Sequence, residues 1–354
     1  MTIAYTTNAE RIGKWKADIL AHCIPKQILE VGGPMTKGMP KNNSKTMVFR
    51  RWLPFGGVDN RWISAATTDA GNSFSAAHVT TEGVTPPSDT LTPVDITVVL
   101  QQYGMLYSFT DQTYDMYEDD IPDAISKQLG GRMGLLQEMI DYGALKACTN
   151  KFYGGGGVSR ASVNKQLTLG GLRKIARNLY LNHAEMITEV IAPSPNYDTS
   201  AIEAAYIVAV HTDVIADCRN LPGYVPVEKY GQRRPVHVCE KGSCEEFRFI
   251  ASPELVPILD AGVVTASAPD LVANSTNVDV YPCVVMGMEA WGKMRLRGTK
   301  GFTPYYHPVD KADKSDALGQ RGYSGAKMYA ASKVLNNGRM AIYEVGVSVL
   351  TEEA

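Results

Sequence analysis

The strongest regular pattern in this 354-residue chain is an apolar stripe at helical spacing between residues 111 and 149. Its members recur mostly every four residues and are Ile121, Ile125, Leu129, Met133, Leu136, Ile140, Leu145 and Cys148. The stripe predicts a helix of about seven turns, or about 40 Å, that packs on one side only. Three glycines, Gly130, Gly131 and Gly134, lie within it and cost about 0.8–1 kcal/mol each relative to alanine in a helix. They therefore indicate close packing against another backbone.

The residues before this helix predict strands, a long excursion and an arm. β-Branched and aromatic residues predict strands over residues 46–55 and 94–109. Residues 56–93 are rich in Gly, Ser, Thr, Ala and Pro, and connections of this length usually bind a partner. Apolar spacing predicts a short amphipathic helix over residues 8–22, and the absence of periodicity in residues 25–43 is typical of an extended arm.

The second half of the chain alternates helical and strand patterns. Helices are predicted over residues 171–183 and 212–221, strands over 205–210, 247–250, 278–286 and 340–350, and a polar loop over 310–325. Together with the first half, this pattern predicts an α+β fold with a mixed sheet.

Charge is segregated along the chain, although 35 Lys and Arg nearly balance 37 Asp and Glu. Residues 1–65 carry ten basic and four acidic side chains, whereas residues 66–125 carry ten acidic and no basic ones. The balanced total excludes the global basic excess of a protein that wraps nucleic acid, but leaves room for a local basic patch. The two opposite segments are expected to pair, within one chain or between copies. A solvated acidic face is the alternative.

Composition also limits the cellular setting. No apolar run reaches the roughly 18 residues of a membrane span, and charges interrupt the N-terminal helical stretch, so we expect no membrane anchor and no signal peptide. The six cysteines are too few and too dispersed for a disulfide framework, which favours reduced, mostly buried thiols. The expected location is the cytoplasm, or the medium after lysis.

Few residues are arranged for catalysis. The glycine run at residues 154–157 lacks the Gly-Lys-Ser/Thr ending of a phosphate-binding loop and predicts a hinge. A zinc site built from His237, Cys239 and Cys244, with Cys218 upstream, is conceivable, although the spacing lacks paired Cys-x-x-Cys knuckles. A zinc-dependent enzyme is therefore kept as a remote alternative.

An acidic cluster precedes the long helix. Its members, Glu118, Asp119, Asp120 and Asp123, could hold a divalent cation, but their spacing fits no calcium loop. Negative charge at a helix start, or contact with a partner's basic arm, explains them more simply.

Several short segments occur in a recognisable order along the chain. They are residues 47–54 (MVFRRWLP), 81–86 (TEGVTP), 211–214 (HTDV), 247–250 (FRFI), 252–255 (SPEL), 316–322 (DALGQRG) and 333–340 (KVLNNGRM). No single segment is specific. Their order, with the long helix among them, resembles the major capsid proteins of tailed bacteriophages with the Hong Kong 97 fold over nearly the whole chain.

This resemblance implies a division of the chain into five parts. Residues 1–43 would form an N-terminal arm, and residues 44–100 an extended β-hairpin loop that lies over a neighbouring subunit. Residues 101–164 would form the peripheral domain with its long spine helix, and residues 165–310 the axial domain around the hexamer and pentamer axes. Residues 311–354 would return to the peripheral domain.

The resemblance also implies a function. The chain would be a structural protein, not an enzyme and without a cofactor, that self-assembles into hexamers and pentamers of an icosahedral shell. The shell would enclose phage double-stranded DNA, contacted non-specifically, and would be built in the host bacterial cytoplasm and found in the virion. Its other partners would be a portal and separate scaffolding or decoration proteins. An encapsulin-like compartment shell is the nearer alternative, which would need a cargo-peptide groove.

The segregated charge acquires a role under this resemblance, because a basic arm or loop of one copy would lie against the acidic helix start of the next. The expected subunit-interface residues are Lys41, Lys45, Arg50, Arg51, Trp52, Arg61 and Trp62 on the basic side, and Asp115, Glu118, Asp119, Asp120 and Asp123 on the acidic side. Because adjacent strand positions point to opposite faces, Arg50 and Arg51 are not expected to share one contact.

Overall fold

A computed structural model describes residues 27–42, 44–53, 79–85, 91–116, 121–187, 204–231, 235–296, 302–309, 311–312 and 316–350. The predicted amphipathic helix over residues 8–22 lies outside the described residues. Most of the predicted excursion over residues 56–93 also lies outside them.

The described chain contains fourteen strands and four α-helices. The strands are β1 Met35–Met39, β2 Thr46–Trp52, β3 Pro93–Val99, β4 Gln101–Thr110, β5 Lys151–Tyr153, β6 Tyr206–Val210, β7 Val225–Pro226, β8 Glu240–Cys244, β9 Phe247–Ala251, β10 Tyr281–Met286, β11 Trp291–Leu296, β12 Phe302–His307, β13 Arg321–Val334 and β14 Met340–Val345. The helices are α1 Asp111–Met116, α2 Ile121–Leu145, α3 Leu169–Leu181 and α4 Ile215–Arg219.

A seven-stranded mixed sheet forms the largest unit, in the order β5-β14-β10-β6-β9-β8-β7. The β5/β14 and β6/β9 pairs are parallel, and the other pairs are antiparallel. Strands β6, β9, β10 and β14 are buried at every residue, because the sheet is covered on both faces. Helices α3 and α4 cover one face. The end of α2, with Tyr142 and Leu145, covers the other face beside Trp291.

A second, five-stranded sheet packs against the long helix α2. Its order is β1-β11-β13-β12, and β4 also pairs with β13 over residues Gln101–Thr110. Helix α2 lies on one face, where Leu129 and Met133 pack against Ala326, Met328 and Ala330. The apolar stripe packs on this sheet as predicted, but the prediction that the helix packs on one side only is wrong, because Gln137, Glu138 and Asp141 on another face are also buried. The three glycines of the stripe are buried in the same helix.

Strands β2 and β3 form a separate antiparallel ribbon, in register from Thr46 opposite Val99 to Trp52 opposite Pro93. A small core anchors the base of the ribbon, in which Phe49 and Val98 pack with Met294. The Lys333 Nζ donates to the Thr97 carbonyl oxygen at 3.0 Å. The ribbon is therefore attached to the five-stranded sheet along one side.

Several predicted boundaries differ from the structure. The strand predicted over residues 94–109 is two strands that meet at the buried Leu100, one in the ribbon and one in the five-stranded sheet. The helix predicted over residues 111–149 is described as α1 and α2, with residues 117–120 outside the described residues. It ends at Leu145, although Cys148 is buried in the same core. Strand β13 begins at Arg321, inside the predicted polar loop.

The glycine run at residues 154–157 is a packed turn, not a free hinge. A Cβ atom on Gly154 would collide with the Lys165 carbonyl oxygen, and one on Gly157 would collide with Ser162 Oγ. The Gly154 N–H donates to the Glu344 carbonyl oxygen at 2.8 Å. The glycines are needed because neighbouring groups approach this turn closely.

Candidate assembly surfaces

The ribbon exposes one row of side chains. Val48, Arg50 and Trp52 are exposed on the same face of β2, and Phe49 is buried on the other. The prediction that Arg50 and Arg51 point to opposite faces is confirmed, since Arg50 is exposed and Arg51 is half-buried. Of the sequence-predicted basic residues, Lys41 and Lys45 are also exposed. Arg61 and Trp62 lie outside the described residues.

Arg50 is paired within its own chain. Its Nε and Nη2 atoms donate to the two carboxylate oxygens of Asp95, at 2.7 and 2.9 Å, across the ribbon. This hydrogen bonding raises the pKa of Arg50 and lowers the pKa of Asp95. At this position the basic and acidic segments therefore pair internally.

The acidic side is described in part. Asp115 is exposed on α1, beside the exposed Tyr114 and Met116. Asp123 pairs with Lys127 one turn further along α2, at 2.8 Å. Glu118, Asp119 and Asp120 lie outside the described residues. The part of the chain that the structure describes thus places an exposed carboxylate and two exposed apolar side chains at the start of the helical segment.

A buried ionic network, which sequence reasoning missed, ties the N-terminal segment to α2 and the five-stranded sheet. The Lys293 Nζ lies 2.8 Å from Asp141 Oδ2, and both side chains are 1% exposed. Ser332 Oγ donates to the other oxygen of Asp141. Glu30 lies 3.9 Å from Lys293 and accepts a hydrogen bond from Arg295 at 3.0 Å.

The neighbouring Glu138 holds the N-terminal segment by its backbone. Its Oε1 accepts the N–H groups of Ile28 and Leu29, at 3.3 and 3.1 Å. Burial raises the pKa of Glu138 to about 8. Burial also raises the pKa of Asp141, against the opposing effect of Lys293. The contact between residues 27–30 and α2 is therefore coupled to the protonation of a buried carboxyl group.

The four residues of the remote zinc alternative are not brought together. Cys218 and Cys244 lie in the core under α3, and Cys239 packs in the core on the other face of the seven-stranded sheet. The Nδ1 of His237 accepts the N–H of Cys239 at 3.1 Å. Burial raises the pKa of the Cys218 and Cys244 thiols, which disfavours thiolate ligands. Among the described residues, no group of three or more His, Cys, Asp or Glu side chains could hold a metal ion.

None of the helices that the structure describes is both long and apolar enough to cross a bilayer.

Comparison with known proteins gives matches only at the level of structure. No protein-family model matches the chain, and no curated protein matches it. The capsid of Ralstonia phage GP4 matches with a TM-score of 0.59 and 9% identity, covering 93% of each chain. The Cyanophage Pam1 capsid asymmetric unit matches with a TM-score of 0.56 and 13% identity, also covering 93% of each chain. The head structure of Helicobacter pylori bacteriophage KHP40 matches with a TM-score of 0.55 and 12% identity, covering 92% of this chain and 91% of that chain.

These matches run almost from end to end in both chains, and they establish the fold. The chain has the α+β fold of these phage capsid and head structures, and the predicted fold class is confirmed.

Proposed function

We propose that this chain is the major capsid protein of a tailed bacteriophage and forms hexamers and pentamers of an icosahedral shell. The observation that carries the proposal is the match in fold to phage capsids over about nine-tenths of both chains. On this proposal the protein is structural, has no catalytic role and resides in the virion.

The proposed division of the chain follows the five parts implied by its sequence. The loop of residues 44–100 contains the ribbon of β2 and β3, and residues 101–164 contain α2. Residues 165–310 supply five strands of the seven-stranded sheet. The C-terminal part, residues 311–354, supplies β13 to one sheet and β14 to the other. The C-terminal part therefore connects the two sheets.

The proposed subunit contact is between the exposed row of the ribbon and the acidic start of the helical segment on a second copy. Support comes from the exposed Trp52 and Val48 on the ribbon, and from the exposed Tyr114, Met116 and Asp115 on α1. Large apolar side chains exposed together are typical of protein interfaces. The internal pairing of Arg50 with Asp95 indicates that the apolar row, with Lys41 and Lys45, is the more available part.

The enclosed double-stranded DNA, a portal and separate scaffolding or decoration proteins are proposed as further partners. The near-neutral net charge of −2 suits a shell that holds packed DNA without tight binding overall. The zinc-enzyme alternative is not supported, because its ligands lie on both faces of one sheet.

The proposal is tested by expressing the chain alone and measuring its mass by size-exclusion chromatography with light scattering, followed by negative-stain microscopy. Closed shells, or hexamer and pentamer rings of several hundred kilodaltons, are expected. A protein that remains a 38.5 kDa monomer at high concentration and with crowding agents would contradict the proposal.

A second experiment addresses the encapsulin-like alternative. Particles purified from infected or co-expressing cells are treated with nuclease and analysed for protected nucleic acid. Protected double-stranded DNA is expected, and particles filled with a single cargo protein would favour the alternative.

A further inference from the structure

A stretch of 43 residues in the middle of the chain is basic without a single acidic residue. Residues 142–184 carry seven Lys and Arg, namely Lys146, Lys151, Arg160, Lys165, Arg173, Lys174 and Arg177, and no Asp or Glu. The balanced total charge hides this local excess.

Ion pairs with the rest of the described chain neutralise only part of this charge. The buried Glu344 accepts two hydrogen bonds from Arg160, both at 2.7 Å, and lies 3.7 Å from Lys151. Glu245 pairs with Arg173. Within the described residues, two carboxylates therefore face seven cations. Burial lowers the pKa of Lys146, and the nearby charge of Arg160 adds to this effect.

Three of the lysines meet at one cavity. Its volume is about 570 Å³, and Lys151, Lys165 and Lys174 line it together with the glycine turn at 155–157 and the start of α3. None of its described lining residues is acidic. At Gly156, the space that a Cβ atom would occupy is open, so a ligand can reach the backbone of this residue without meeting a side chain. The cavity is therefore open, positively charged and larger than a single phosphate group.

The positive surface continues beyond the cavity along α3. Arg173, Lys174 and Arg177 are exposed on this helix, at spacings that place Arg173 and Arg177 on one face. Thirteen residues of helix extend about 20 Å. Duplex DNA carries one phosphate per about 1.7 Å, so about twelve phosphates occupy that length. The extent of the charge fits a polyanion better than a small anion.

We propose that this basic face, comprising the cavity between β5 and α3 and the exposed side of α3, binds the phosphate backbone of double-stranded nucleic acid. Lysines on flexible stems make point-charge contacts to phosphates and carry no sequence information, which suits binding without sequence preference. The inference rests on the proposed function only in identifying the bound nucleic acid as the enclosed genome. If both hold, this side of the seven-stranded sheet faces the inside of the shell.

The test compares two variants of the full-length chain that have the same net charge. K165E/K174E reverses two exposed lysines at the cavity, and K229E/K241E reverses two exposed lysines elsewhere. Binding to a fluorescent 20-base-pair duplex is measured by anisotropy between 50 and 200 mM salt, conditions over which phosphate contacts weaken steeply. Circular dichroism and thermal unfolding check that each variant is folded.

K165E/K174E is expected to weaken binding at least tenfold at low salt, and to reduce the slope of log K against log salt by about 2, since each lost phosphate contact contributes about 0.9. K229E/K241E is expected to change neither quantity by more than about twofold. Equal losses in both variants, or no binding by the parent chain, would overturn the proposal.

Two further arms separate other sources of negative charge. Inorganic pyrophosphate that binds the parent chain but not K165E/K174E, with DNA binding unchanged, would assign the cavity to a small phosphate compound instead. A synthetic peptide of residues 109–125 represents the acidic start of the helical segment. If this peptide binds the cavity in preference to DNA, the ligand of the cavity would be that segment of a second copy of the chain. Shell assembly is measured separately by microscopy. A chain that assembles without binding DNA refutes only this inference. A chain that binds DNA without assembling refutes only the proposed function.

Discussion

Replacing Lys293 by methionine removes the only described cation within 4 Å of the buried carboxylate of Asp141. Both side chains are 1% exposed, so water cannot replace the lost partner. Removing one member of a buried ion pair costs about 3–5 kcal/mol, because an uncompensated charge is left in a region of low polarity. We therefore expect K293M to lose about 3–5 kcal/mol of unfolding free energy.

The assay is urea unfolding followed by tryptophan fluorescence, to which the buried Trp291, two residues before Lys293 and one of four tryptophans, contributes. With an m-value of about 3 kcal/mol/M, the midpoint is expected to fall by about 1 M or more. The loss should be larger at pH 8 than at pH 5. Burial raises the pKa of Asp141 and Lys293 opposes that rise, so K293M raises this pKa further. The variant therefore costs least at low pH, where the carboxyl group is protonated and neutral, and most at high pH, where it must be buried as an unpaired charge or stay protonated above its ordinary range.

Two controls make the result specific. K127M makes the same substitution in the exposed pair with Asp123 on the same helix, and should cost less than about 0.5 kcal/mol. The double variant K293M/D141N removes both charges and should recover most of the loss. A K293M midpoint equal to that of the parent chain, or a double variant less stable than K293M, would refute this account of the network.

Three further predictions concern other charged groups. The pKa of Glu138 is raised to about 8 in the folded chain, against an ordinary value of 4.5, so its contribution to stability is present below about pH 4.5 and is lost as pH rises to about 8. E138Q should therefore flatten the pH dependence of stability, measured as urea midpoints at pH 5 and 8. The same difference between the two midpoints in E138Q and the parent chain would contradict this prediction. E344Q should lower stability by about 1.5–3 kcal/mol, because it weakens two charge-assisted hydrogen bonds from Arg160; thermal unfolding measures this, and a wild-type melting temperature would count against it. R50A should change the unfolding midpoint only slightly, and by much less than K293M, because both side chains of the pair with Asp95 are exposed to solvent, which weakens the ion pair. A shift of the midpoint as large as that of K293M would show that the ribbon is held by this pair.

The long helix could be predicted from sequence because the burial of its apolar side chains requires them to recur at the helical period. Leu129 and Met133 recur at the helical period, and the structure packs this side against the five-stranded sheet. The break at Leu100 could not be predicted in the same way. The alternation of β-branched and aromatic residues continues through it, whereas the chain changes from the ribbon to another sheet. Local pattern records the conformation of the backbone and not the sheet that a strand joins.

The buried charges were also out of reach of pattern reasoning. In β11, Lys293 looks like an outward-facing residue of a strand, and its partner Asp141 is 152 residues away on α2. The glycine run at 154–157 illustrates the same difficulty. Its composition indicates flexibility, whereas the structure packs Gly154 against Lys165 and Gly157 against Ser162. The basic stretch at residues 142–184 was visible in the sequence, but only the folded chain shows that three of its lysines meet at one cavity.

The most direct test of the proposed function is a cryo-electron microscopy reconstruction of the particles that the chain forms, alone or with the proteins encoded beside it. We predict a closed shell with icosahedral symmetry, in which the ribbon of β2 and β3 lies on a neighbouring subunit. Open filaments, small rings with no five-fold or six-fold symmetry, or a shell in which the ribbon contacts only its own subunit would contradict it.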